Sequence, residues 1–248
     1  MLDDLQRPPP PALADDDALF LDVDGTLLAF ADHPDKVVPD PPLLTLLASV
    51  QQRLGGALAL LSGRPVGQLQ TMFAPLQLPM AGLHGAQLLT AADAALAESD
   101  TASWLHALHQ RAMQLAHAHP GVLIENKGQA LALHWRNAPD AGAAVIAFAN
   151  ASLPQLPGVR LQPGNHVIEF VGSGHDKGRA LQQLMQQPPF QGRRPIFIGD
   201  DLTDEHGFQA AQHAGGLGVL VGQRGDSHAR SALPDINAVH AWLRAATT

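Results

Sequence analysis

The sequence predicts an α/β fold in which a parallel sheet with crossover helices is interrupted by a smaller α+β segment carrying an antiparallel sheet. Three observations predict it. Runs apolar on both faces, such as ALFL (18–21), ALALL (57–61) and PIFI (195–198), alternate with helical periodicity in the first and last thirds of the chain. From residue 87 to 172 the rhythm changes to helix, hairpin, helix, hairpin. Polar and acidic residues follow the apolar runs, at the strand ends that line the ligand crevice of an open parallel sheet.

Each element has a local reason. Residues 18–21 form the first strand. A helix is expected over Pro41–Leu54: Pro-Pro opens it, Leu43, Leu44, Leu46, Leu47 and Leu54 give its apolar face, and Gly55-Gly56 ends it. A second strand runs through ALALL and closes on Ser62-Gly63. A helix over Pro65–Phe73 and a third strand within LPMAGLHGA follow. Trp104, Leu108 and Leu115 mark a helix over Asp100–His117. VLIEN and ALALHWR flank KGQ as a hairpin, with Leu131, Leu133 and Trp135 on one face and Ala132, His134 and Arg136 on the other. A helix over Pro139–Leu153 precedes a second hairpin, VRLQ and HVIEF around Pro163-Gly164-Asn165. The first rhythm then resumes with a helix over Lys177–Gln186 and strands in RPIFIGDD and GLGVLVG. The expected division is a core of 18–86 with 173–248, an insertion of 87–172, and a loose tail of 1–17 containing four consecutive prolines.

Composition excludes several function classes. The chain has 248 residues, 46% of them apolar, enough for a sizeable core. Lys+Arg number 15 against Asp+Glu 23, a net charge of −8 with no basic face, so no nucleic-acid partner is expected. The absence of cysteine excludes disulfides and thiolate metal sites. No apolar run is long enough to cross a membrane, so no membrane partner is expected. The start of the chain lacks the positive residues and apolar segment of a signal peptide, which makes a cytoplasmic location the expectation. A monomer is expected.

The polar groups at the strand ends share one chemistry. Asp22 and Asp24 have the same parity after a buried strand and point to one side if the chain stays extended. Two ionised groups there are costly unless they are exposed or a cation holds them. Ser62, Lys177 and the trio Asp200, Asp201 and Asp204 complete the set. Several carboxylates without cysteine suit a hard cation such as Mg²⁺. A hydroxyl and an ammonium suit phosphate oxygens. Together they describe phosphoryl transfer, with one carboxylate as nucleophile and a second, two residues on, as general acid and base. Simpler roles exist for each. Asp-Gly marks turns, Ser62 can cap a helix, Lys177 can be a solvated lysine, and Asp200, Asp201 and Asp204 can cap a helix.

DVDGTL, LLSGR, Lys177 and GDDLTDE resemble, in order, the four motifs of the haloacid dehalogenase superfamily of aspartate-dependent phosphatases. The resemblance implies a Rossmann-like core and an inserted α+β cap that selects the substrate. GLHGA, IENKGQALALHWR, VIEF, DKG and IGDDLTDEHGF further resemble the trehalose-6-phosphate phosphatases, over about Leu19 to Val221. That narrower resemblance implies hydrolysis of trehalose 6-phosphate to trehalose and phosphate, the last step of trehalose biosynthesis. It assigns Asp22 as nucleophile and Asp24 as general acid and base. Asp22, Asp200 and the Asp24 carbonyl would hold Mg²⁺, with Asp204 adjacent. Ser62 and Lys177 would bind the phosphoryl group, beside Gly63, Arg64 and His84. Glu125, Lys127, His134, Arg136 and Glu169 would face the sugar. The chain departs from the family after Glu169: the segment there often reads Arg-Pro in relatives, and here it is Phe170-Val171-Gly172-Ser173-Gly174-His175. Two other readings share these features: a phosphatase for a sucrose or mannosylglycerate phosphate, and a non-catalytic phosphosugar-binding regulator.

Overall fold

A computed structural model describes residues 7–29, 37–90 and 103–247. The chain divides into two compact units, Met1–Leu96 with Asp176–Thr248, and Ala97–His175.

The larger unit is built on β1 (Asp17–Leu21), every residue of which is buried. β1 pairs in parallel with β2 (Leu58–Leu61) on one side and β9 (Arg194–Gly199) on the other. β3 (Met80–Gly82) and β4 (Gln87–Leu89) extend the sheet beyond β2, while β10 (Leu217–Val221) and β11 (Ser231–Leu233) extend it beyond β9. All pairings are parallel except β3 with β4. The chain therefore leaves β1 toward one edge and later returns to build the opposite edge from β9. The switch point lies between β1 and β9, where an open sheet parts at its carboxyl end. Pairing of Leu21 with Ile198, continued by Asp22 N donating to Ile198 O (2.9 Å), sets the ends of these two strands side by side.

The crossover helices form for readable reasons. In α1 (Pro41–Arg53), Asp40 caps the N-terminus by accepting from Leu43 N, and Leu43, Leu47 and Val50 turn into the core at helical spacing. α2 (Val66–Met72) buries Val66 and Leu69. α5 (Lys177–Leu184) is capped by Asp176, and α6 (Glu205–His213) follows a single 3₁₀ turn, Leu202–Asp204. Phe20 stacks on Phe190 (centroids 5.2 Å), and Phe197 meets Phe208 edge-on at 5.7 Å. Truncating one such buried ring typically costs about 3–5 kcal/mol.

The smaller unit has α3 (Ser103–Ala118), β5 (Leu123–Asn126), β6 (Leu131–His134), α4 (Gly142–Ser152), β7 (Val159–Gly164) and β8 (Val167–Gly172). Its sheet is antiparallel in the order β5-β6-β8-β7. Leu131, Leu133, Ile168 and Phe170 share one face and form a separate core with Leu105, Leu108 and Val145 of the helices. The other face, carrying Glu125, Ala132 and Glu169 in register, is the polar one.

Three expectations need correction. Residues 7–17 are not a loose tail. Leu13 is buried, Trp242 Nε1 donates to Pro11 O (2.9 Å), and Asp17 opens β1 with its carboxylate held by Arg194 Nε (2.7 Å). Prolines lack an N–H, but their carbonyls still accept, so this segment is bound edge-on to its neighbours. Residues 87–89, assigned to the insertion, instead pair with β3 of the larger sheet. Finally, β4, β11 and α7 (Ile236–Ala245) were not anticipated. The two strands have three residues each, too short for a pattern, whereas α7 carries a readable signal: an Asp235 cap and buried Val239 and Leu243. The expected start of α3 at Asp100 lies outside the described residues.

Among the described residues, no helix is long and apolar enough to cross a membrane.

Candidate active site

The switch point gathers four carboxylates and two cations. Asp22 follows β1 and is 4% exposed. Asp200 follows β9, and oxygens of Asp22, Asp200 and Asp204 lie within 4.8 Å of one another. Lys177, at the first position of α5 and 3% exposed, places its Nζ 2.6 Å from Asp22 Oδ1 and 2.6 Å from Asp204 Oδ1. Residues far apart in sequence meet because the strand ends of one sheet converge.

Two glycines permit the approach. Gly25 has φ +87°, and a Cβ there would sit 2.2 Å from Asp200 Oδ2. A Cβ on Gly199 would lie 2.3 Å from Asp204 Cγ. Only glycine lets backbone and carboxylate come this close.

The carboxylates have different jobs. Asp204 is fully buried and both its oxygens are engaged: Oδ1 with Lys177, Oδ2 with the N–H groups of Asp200 (3.0 Å) and Asp201 (2.9 Å). It shapes the turn and anchors the lysine. Asp200 accepts from Thr26 Oγ1 (3.3 Å) and stays partly open. Asp24, placed beside them in the sequence, is held by Arg64 in a fork, Nε to Oδ2 and Nη2 to Oδ1, both 2.7 Å.

Charge explains what this centre lacks. Arg64 balances Asp24, which leaves Asp22, Asp200 and Asp204 against Lys177, an excess of two negative charges. The imbalance shifts the acids' pKa values. Burial, together with Asp204 and Asp200, pushes the Asp22 carboxyl well above its usual value, even against Lys177. Burial and the Asp204 charge push Asp200 up to about 7. Burial alone would lower Lys177, but Asp204 and Asp22 outweigh it and raise its pKa. An all-oxygen cluster short of two positive charges fits a hard divalent cation. Asp22 and Asp200 are the acids with oxygen positions suited to it, whereas Asp204 is committed to its own partners.

Ser62 follows β2 and is buried, its N–H bonded to Ala81 O (2.8 Å). Its Oγ accepts from Arg64 N (3.1 Å), so it shapes the loop and does not cap α2, whose N-cap position is Pro65. The first amide of α2 is also used, by Gln87 Oε1 (2.9 Å). Leu83 and His84 both adopt positive φ (50° and 56°), and this turn lays the His84 ring over Gly63, where a Cβ would meet it at 2.8 Å. Ser62, Gly63, Arg64 and His84 thus form one buried loop contact.

In the smaller unit, four of five expected residues meet on the polar face. Lys127 Nζ is 2.7 Å from Glu169 Oε1 and 3.9 Å from Glu125 Oε2, and His134 Nε2 is 2.9 Å from Glu125 Oε2. Burial would raise Glu125, but the His134 hydrogen bond and the Lys127 charge lower its pKa overall. Arg136 does not join them: it lies past the end of β6, exposed, with Nη2 3.5 Å from Asn165 O. The alternation placing Arg136 with His134 fails because the strand stops at His134. Gln162 pairs with Glu169 across β7 and β8 on this face, and Arg160 bonds to Gln162. Sequence reading missed both, although the alternation within VRLQ carried the signal. It also missed Thr26, which stands within the quoted DVDGTL.

A parallel sheet with an aspartate nucleophile candidate, a lysine and an acidic turn at its switch point, joined to an α+β insertion, defines the haloacid dehalogenase class of phosphoryl-transfer folds. The sequence pattern of the trehalose-phosphatase family, Trehalose_PPase, matches residues 20–235. The chain belongs to that family. It is 37% identical over 247 residues to trehalose-6-phosphate phosphatase of Escherichia coli (strain K12), covering 96% of this chain and 89% of that one. It is 39% identical over 206 residues to a probable trehalose-phosphate phosphatase of Sinorhizobium fredii (strain NBRC 101917 / NGR234), covering 83% and 77%. The C-terminal domain of C. albicans trehalose-6-phosphate phosphatase has the same fold, with a TM-score of 0.84 at 20% identity over 96% of this chain and 98% of that chain.

Proposed function

We propose that this chain hydrolyses trehalose 6-phosphate to trehalose and phosphate, with Asp22 as nucleophile. Family membership supports the substrate. The observation that carries the chemistry is the Lys177 ammonium lying between Asp22 and Asp204 in a centre still short of two positive charges. Such a centre attracts a divalent cation and the phosphoryl group it accompanies.

Asp22 Oδ attacks phosphorus, an Asp22–phosphorus bond forms, and the bond to the sugar oxygen breaks. Asp24, protonated and released from its Arg64 fork when substrate binds, donates that proton to the leaving sugar oxygen. Asp24 then takes a proton from water, whose oxygen displaces Asp22 and releases phosphate. Lys177 favours the ionised form of Asp22 against its burial and holds it in place, and Ser62 with the loop through Arg64 holds phosphate oxygens. Asp22, Asp200 and the Asp24 carbonyl would hold Mg²⁺, which when bound neutralises charge on the phosphoryl oxygens. Glu125, Lys127, His134 and Glu169 offer donors and acceptors suited to sugar hydroxyls.

Phosphate release from a panel of sugar phosphates tests this reading. Trehalose 6-phosphate is expected to be turned over far faster than glucose 6-phosphate, sucrose 6-phosphate or mannosylglycerate phosphate, and EDTA is expected to abolish turnover. Comparable rates on glucose 6-phosphate would overturn the substrate. Full activity in Asp22→Asn would overturn the mechanism.

A further inference from the structure

The segment at Arg7 and Pro8 is tied to the acidic turn through two arginines. Arg7 directs its guanidinium at the loop after β10: Nε donates to Ala229 O (2.6 Å), Nη1 to Arg224 O (2.8 Å), and Nη2 to Ser227 O (2.9 Å) and Gly225 O (3.2 Å). Ala232 N donates to Pro8 O (3.1 Å), which seats the same segment on β11. Arg224 leaves this loop in the opposite sense. Its Nη1 donates to Asp200 O (3.2 Å), its Nη2 donates to Asp201 O (3.3 Å), and it pairs with Glu205. Glu205 also accepts from His228 N (2.7 Å), which closes the loop on itself.

The peptide joining Asp200 to Asp201 is therefore held on both groups, its carbonyl by Arg224 and its N–H by Asp204. The peptide before it is held at its N–H by Asp204, and the one after it at its carbonyl by Arg224. A carboxylate on a turn whose peptides cannot rotate has its oxygens aimed in advance, and such outer partners set the affinity of a cation site. A guanidinium suits the task because its planar fork spans two carbonyls and a carboxylate at once, which a lysine cannot.

We propose that Arg224, braced by Arg7, is a positioning residue for the Asp200 turn, so that the segment at Arg7 and Pro8 helps to set divalent-cation affinity. This rests on the reading of Asp200 as a cation ligand.

The test is Mg²⁺ binding by calorimetry without substrate, on the full chain and on Arg224→Gln, Arg224→Lys, Arg7→Ala and Arg53→Ala. Arg53 is the control: it also donates to backbone carbonyls, Leu13 O at 2.9 Å and Ala246 O, on other segments of the same unit. Arg224→Gln is expected to weaken Mg²⁺ about 10-fold, the lower end for lost outer partners, and Arg7→Ala about 3-fold. Arg224→Lys falls between the parent and Arg224→Gln, and Arg53→Ala binds as the parent does. Exchange of the Asp200 and Asp201 amide protons is expected to speed up in Arg224→Gln and Arg7→Ala but not in Arg53→Ala. Unchanged Mg²⁺ affinity in folded Arg224→Gln, whatever its melting temperature, would overturn the proposal. Failure of the parent chain to bind Mg²⁺ would overturn the cation reading of Asp200 and the proposal with it.

Discussion

Arg64 grips Asp24 through two parallel hydrogen bonds of 2.7 Å, with the guanidinium 8% and the carboxylate 26% exposed. The fork fixes which way Asp24 faces, and lysine cannot reproduce it. Arg64→Lys is therefore expected to lower kcat about 10-fold with a smaller change in KM. Asp24→Asn removes the proposed proton carrier and is expected to cost about 10²–10⁴-fold. Steady-state kinetics on trehalose 6-phosphate check both, and an Arg64→Lys variant with parental kcat would show that the fork is not needed.

Asp204 and Asp200 are neighbours whose removal is expected to affect stability differently. Asp204 is fully buried and serves Lys177 and two backbone N–H groups. Asp204→Asn must turn an amide NH₂ toward one of these donors, and breaking a buried pair this way costs about 3–5 kcal/mol. Asp200→Asn removes a charge from a centre with too many like it, so the cation-free protein is expected to be no less stable. Urea unfolding in EDTA distinguishes them. Equal losses in the two variants would contradict the division of roles.

The raised carboxyls predict a pH effect with a definite sign. Asp200 titrates near 7 in the folded chain against 3.8 as the reference value, so between these the folded state binds the extra proton. Stability then falls as pH rises from about 4 to 7. Glu125 and Glu205, whose pKa values are lowered, act in the opposite sense, and their stabilisation is lost only as pH drops through their own range. With Asp200 as the proposed cation ligand, bound Mg²⁺ would replace the proton there and cancel the loss. Melting curves with EDTA and with Mg²⁺ are expected to diverge more at pH 7.5 than at pH 5. A Mg²⁺ effect that is larger at pH 5 would refute this.

Lys127 separates two acids on the polar face of the smaller sheet, Glu169 at 2.7 Å and Glu125 at 3.9 Å. Lys127→Met leaves those carboxylates facing each other and removes a proposed donor for sugar hydroxyls. KM for trehalose 6-phosphate is expected to rise about 10-fold or more, since a polar site robbed of a partner loses more than one contact. Unchanged KM would remove this face from substrate recognition.

Local sequence was sufficient wherever a pattern repeats within one element. Leu43, Leu47 and Val50 mark a buried helix face, and the alternation from Leu131 to His134 separates apolar from polar in β6, so both elements stand where the pattern puts them. The alternation misled at Arg136, because nothing in the spacing says that β6 ends at His134. It was silent about residues 7–17, whose order comes from carbonyls accepting bonds from Arg53 and Trp242, partners remote in sequence.

What the sequence alone determined is the inventory: strands apolar on both faces, acids at their carboxyl ends, and a lysine opening the helix after the insertion. What tertiary structure decided is the division of labour among like residues. Asp22, Asp24, Asp200 and Asp204 are chemically alike on paper. Folding gives Asp24 to Arg64, makes Asp204 and Asp22 share Lys177 while Asp204 also holds the turn, and leaves Asp200 without a cation of its own. The reason is that a carboxylate's role follows from how deeply it is buried and which charges and donors lie within about 3 Å, and sheet topology sets those neighbours.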